Sequence, residues 1–137
     1  MQFWNELEEI SEEEEIILNE MARVGFIDDC EIYVRSDDPG HIPHFHIWDR
    51  TTRGKKFHTC VKILECDYFH HTGKEDILDS KARKKLCNFF KSKCKNNKFD
   101  TNWDVLIFMW NINNSTEEVP EDTVMPDYTK LPNKKTK

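Results

Sequence analysis

The sequence predicts an α+β domain. A three- to four-stranded antiparallel sheet packs against C-terminal helices and follows an acidic helical N-terminal segment. The prediction rests on where the hydrophobic period changes. Apolar residues recur at helical spacing up to Val24, alternate strictly from Glu31, and return to helical spacing beyond residue 80. A chain of 137 residues fits one domain, and nine Phe and four Trp supply the apolar area for a core. We expect one domain over residues 1–131, with 1–29 as the acidic helical segment, 115–131 as an extended tail and 132–137 as a disordered end.

In the first segment, Phe3, Trp4, Leu7 and Ile10 fall at helical spacing. Ser11 then precedes Glu12–Glu15, with Glu14 three positions on. That is a capping box whose carboxylates sit at the positive end of the helix dipole. Ile17, Met21 and Val24 continue the stripe, and Gly25 fits the left-handed position that ends a helix.

From Glu31 the pattern is that of strands. Ile32 and Val34 alternate with Glu31, Tyr33 and Arg35. Ser36 to Gly40 is a turn, Pro43 to Trp48 a second strand, Asp49 to Gly54 another turn, and Phe57 to Leu64 a third strand. Short loops between them indicate a meander. Tyr68 to Gly73 reads as an aromatic loop or a short strand.

The next stretch is helical. Asp79 or Ser80 caps a helix with Leu86, Phe89 and Phe90 on one side and Lys81, Arg83, Lys84, Lys85 and Lys91 on the other. Asp100 or Thr101 caps another, where Trp103, Leu106, Ile107 and Trp110 make the clearest stripe in the chain. Val105, Phe108, Met109 and Ile112 complete its circumference, so we expect a buried central helix.

Charge is segregated. Residues 1–29 hold ten acids against one base, 30–70 balance, 71–100 hold nine bases against four acids, and the whole chain carries −6. The acidic run, Glu8, Glu9 and Glu12, Glu13, Glu14, Glu15, reads either as a solvated first turn or as a surface that docks on a basic partner or imitates nucleic-acid phosphate. The basic stretch Lys81–Lys98 either contacts phosphate or compensates the acids. The net charge argues against nucleic acid as the primary ligand.

No run approaches the about 18 apolar residues of a membrane span, so no membrane partner is expected. The acidic start is not that of a signal peptide. Five cysteines without CxxC, namely Cys30, Cys60, Cys66, Cys87 and Cys94, suit reduced thiols in a cytoplasmic protein. On one helix, Cys87 and Cys94 would share a face. A zinc site from Cys60, Cys66 and His70 lacks a recurrent spacing. Phosphate-binding glycine loops, G-x-S-x-G and H-E-x-x-H are all missing.

The histidines carry the remaining chemistry. His41, His44 and His46 lie within six residues, and His58, His70 and His71 follow. On a strand, His44, His46 and Trp48 would form one row while Phe45 and Ile47 face the core. His58 shares the non-core face with Cys60 and Lys62, and strand pairing would bring it towards His44 or His46. Three readings stay open. One is a divalent metal at His44 and His46 with His58 and a carboxylate from Asp37, Asp38 or Glu65, as in a metal-dependent hydrolase or nuclease. Another is metal-free acid–base work on phosphodiesters. The third is a polar-aromatic contact surface with no cofactor.

The stretch Gly40-His41-Ile42-Pro43-His44-Phe45-His46-Ile47 resembles a group of small bacterial and phage proteins, the family labelled domain of unknown function 4160. The resemblance spans about residues 31–64. Members carry a Pro-His-Phe-His strand after a first strand and an Asp- and Pro-containing turn, and His44 and His46 match the characteristic pair. Members are often encoded near toxin–antitoxin partners or on mobile elements. The family has no assigned reaction, so the resemblance implies no catalytic residue.

Charge and resemblance together lead to a non-enzymatic protein-binding factor of a phage or mobile element. It would act on a host or partner protein, and its action would be antitoxin-like or that of an inhibitor of a defence nuclease such as an anti-CRISPR. A homo-oligomer that buries the apolar excess is a further expectation.

Overall fold

The computed structural model describes residues 21–36, 42–70, 73–95 and 98–133. The acidic residues Glu8 to Glu15, as well as Asp37, Asp38, His41 and His71, lie outside the described residues.

Four strands, β1 (Met21–Ile27), β2 (Cys30–Arg35), β3 (His44–Asp49) and β4 (His58–Lys62), form one antiparallel sheet in the order β1-β2-β3-β4. Two helices follow, α1 (Ser80–Lys91) and α2 (Asn102–Asn113), and then a 3₁₀ turn at Tyr128–Lys130. The architecture is α+β, with every strand paired to its sequence neighbour. None of the helices among the described residues is long and apolar enough to cross a membrane.

The first strand corrects the expected helix end. Met21–Ile27 is extended and pairs with β2 through a two-residue turn in which Asp28 takes a positive φ of 50°. Gly25 ends no helix. It sits at an irregularity in the β1–β2 register, and a Cβ there would lie 2.3 Å from Cζ of Phe89 on α1. Short apolar runs suit either period, and here pairing with β2 decides.

Both helices start where the sequence places them. The Asp79 side chain accepts from the Ala82 N–H at the head of α1. Thr101 and Asp104 close a reciprocal capping box on α2. The core lies between these helices and the inner face of the sheet. Ile32, Val34, Phe45, Ile47 and Val61 meet Leu86, Phe90, Leu106, Ile107 and Trp110 there. Phe45 and Phe90 pack edge-on at 5.3 Å.

Four further expectations are revised. The α2 helix is buried on one side only, because Phe108 and Ile112 face solvent. Arg83 is buried rather than part of a basic surface, and its Nη1 donates to the Leu78 carbonyl and to Asn133 Oδ1. Cys94 lies beyond the end of α1 and shares no helix with Cys87. Residues 115–131 are irregular, yet they are part of the core rather than a tail. Trp103 and Trp110 donate to the carbonyls of Thr123 and Glu117, and Val119, Tyr128 and Leu131 are buried.

Candidate functional site

The strand alternation holds. Phe45 and Ile47 point into the core, and His44, His46 and Trp48 share the opposite face. In the register, Tyr33, His46 and Cys60 form one cross-strand row, and Glu31, Trp48 and His58 form the next. This face is not the exposed contact surface expected of it. His44 is 0% exposed, His46 3% and Cys60 0%. The sheet is therefore buried on both sides at its centre.

Stacked aromatic rings build the enclosure. Tyr33 lies on His46 with centroids 4.8 Å apart and planes 14° from parallel. Phe69 lies 4.3 Å from the His44 ring. Trp48 tilts against Tyr33 at 4.7 Å, and its indole N–H donates to Glu31 Oε1 over 3.0 Å. The other Glu31 oxygen accepts from Arg23 Nε. A carboxylate buried to this degree needs such partners, because desolvation alone would disfavour its charge.

At the centre, three donor atoms converge. His46 Nδ1 lies 3.0 Å from His58 Nε2, with the two rings parallel to within 1°. Cys60 Sγ lies 3.2 Å from His46 Nδ1 and 3.7 Å from His58 Nε2. Among the described residues, this is the group of His, Cys, Asp and Glu side chains that could hold a metal ion. The β4 backbone is fixed at the same point. The His58 N–H donates to Asp76 Oδ2, and the Asp76 N–H donates to the His58 carbonyl.

The site differs in composition from the expected one. His44 shares the face but stands outside the donor group. Its Nδ1 is 2.6 Å from the Ile42 carbonyl oxygen, which only accepts, so that nitrogen carries the proton. Trp48 walls the cluster rather than binding in it. Glu65 pairs with Lys62. The alternative grouping of Cys60, Cys66 and His70 does not form either. Cys66 Sγ instead donates to the Asp127 carbonyl, and burial, with Asp127 nearby, pushes its thiol up. Cys60 is the member that the histidine pattern passes over. Its signal is its place on the non-core face of β4, two residues from His58.

Comparisons of this chain with family models, with curated proteins and with solved structures find no match.

Proposed function

We propose that the protein is a non-enzymatic binding factor that acts by surface contact with a partner protein in the cytoplasm. The observation that carries this reading is the burial of the histidine face. A hydrolase or nuclease needs its catalytic groups at a cleft open to substrate. Here His44, His46 and Cys60 are enclosed by their own sheet and by aromatic rings. The outward chemistry is then charge. Ten acids against one base over residues 1–29 favour a basic partner surface and would act chiefly on the rate and specificity of association. A mobile-element setting, with antitoxin-like or nuclease-inhibiting action, rests on the resemblance of residues 40–47.

The competing reading is a metal-dependent hydrolase. The convergence of His46, His58 and Cys60 favours it, and the burial of His46 and Cys60 counts against it. The test is capture of partners from a host lysate by the full chain and by a variant with Glu12, Glu13, Glu14 and Glu15 changed to Lys. We expect the variant to lose a protein that the wild type retains. Unchanged capture by the variant, or turnover of RNA or DNA by the purified wild type, would overturn the proposal.

A further inference from the structure

We propose that His46 Nδ1, His58 Nε2 and Cys60 Sγ are three ligands of a structural Zn2+ that staples β3 to β4. The inference stands apart from the partner-binding reading, which concerns the surface.

Donor chemistry comes first. Two imidazole nitrogens and one thiolate are the ligand types of zinc and other thiophilic ions. Calcium and magnesium take oxygen. Distance comes second. Zinc bonds of about 2.0–2.1 Å to nitrogen and 2.3 Å to sulfur, set tetrahedrally, hold two nitrogens about 3.3 Å apart and nitrogen from sulfur about 3.6 Å. The separations here are 3.0, 3.2 and 3.7 Å. Each is within a few tenths of an ångström of a zinc shell, and the two rings, end to end with centroids 5.3 Å apart, would tilt to aim both nitrogens at the ion.

The framework is also pre-organised. His46 and Cys60 are direct cross-strand partners, and His58 lies two residues along β4 on the same face. The rigid sheet therefore sets all three Cβ positions. A shell of contacts then fixes the rings, as metal sites require of their surroundings. Tyr33 stacks on His46, Trp48 leans on His58, and Asp76 holds the backbone at His58.

Position assigns the role. An ion held by the buried His46 and Cys60 and the half-buried His58, with water as its fourth ligand, would join two strands separated by residues 50–57. Folding and metal affinity would then be linked.

The full chain, purified without chelator, is expected to carry one zinc per molecule by elemental analysis. After chelation and reconstitution with Co2+, it should show tetrahedral d–d bands and a near-ultraviolet thiolate-to-cobalt charge-transfer band. Thermal unfolding should move to lower temperature on chelation and return on adding Zn2+. Cys60→Ser should abolish the charge-transfer band, and Cys94→Ser should leave it intact. The wild-type cobalt spectrum tests the site even if the Cys60 variant fails to fold. No retained zinc together with no charge-transfer band in the wild type, or a band that survives in Cys60→Ser, would overturn the assignment.

Discussion

The ring of Phe89 fills the space in which a side chain at Gly25 would grow. A Cβ at residue 25 would stand 2.3 Å from Phe89 Cζ and 2.7 Å from Cε1, well inside contact distance. This glycine lets α1 lie directly on β1. Gly25→Ala should destabilise the fold by about 1–3 kcal/mol, the usual cost of overpacking. In a Phe89→Ala background the same change should cost much less. A double-mutant cycle in denaturant measures the coupling, and strict additivity would show that the contact does not matter.

Glu31 links two strands on the buried face, accepting from Arg23 on β1 and from the Trp48 indole on β3. Glu31→Ala removes the carboxylate that pairs with Arg23 and the acceptor of the indole N–H. We expect a loss of about 3 kcal/mol and a weaker near-ultraviolet dichroism signal from Trp48. Glu31→Gln keeps an acceptor for the indole and should fall between the two. Equal stability of Glu31→Ala and wild type would refute the link.

Asp49 organises the loop between β3 and β4. Its carboxylate accepts from the Thr52 hydroxyl and from the backbone N–H groups of Thr52, Gly54, Lys56 and Phe57. The Thr52 hydroxyl, reinforced by those N–H groups, holds the carboxyl far below the usual carboxylate range. A depressed folded value stabilises the fold above the unfolded value of about 3.9, and that contribution is lost as pH falls below it. Asp49→Asn should therefore unfold at lower temperature at neutral pH, while its stability falls less steeply under acid than that of wild type. Parallel acid limbs for the two proteins would exclude this role.

Tyr128 is fully buried, and its hydroxyl lies between the carbonyls of Lys62 and Ile63, to which it donates over 3.1 and 3.0 Å. Burial pushes its phenol far up. With a raised folded value, its contribution is complete below the unfolded value of about 10 and disappears as pH rises above it. In an alkaline titration followed by absorbance, Tyr128 should ionise only as the chain unfolds. Tyr128→Phe should cost about 1 kcal/mol, and Tyr128→Ala about 3–5 kcal/mol. A phenol that titrates normally in the folded state would contradict the packing.

Much of this architecture can be read from the chain. The alternation in β2, β3 and β4 gives the correct inward set, and Asp79 and Thr101 mark both helix starts. What escapes is what lies against each face. The row of His44, His46 and Trp48 has the polarity of a surface, but Tyr33 and Phe69 cover it, and nothing local in Pro43–Trp48 announces that cover. Cys60 joins the histidines because the Asp49 loop sets β4 so that this residue falls opposite His46, a register that the pattern alone leaves open. His44 stands outside the donor group, with its Nδ1 donating to the Ile42 carbonyl. Met21–Ile27 misleads because Met21 and Val24 also suit a helix, and only the Asp28 turn and the β2 edge make it a strand.

The lock between Tyr128 and β4 has a consequence for synthesis on the ribosome. Each strand can pair with its neighbour as it emerges, so the meander is available early. Part of its inner face stays uncovered until more than sixty further residues have been translated, because the hydroxyl that caps Lys62 and Ile63 lies 66 and 65 positions downstream. A nascent chain stalled short of Tyr128 would present Phe45 and Phe90 without one of their covering rings. It would be a natural client for chaperones that bind exposed aromatic surface.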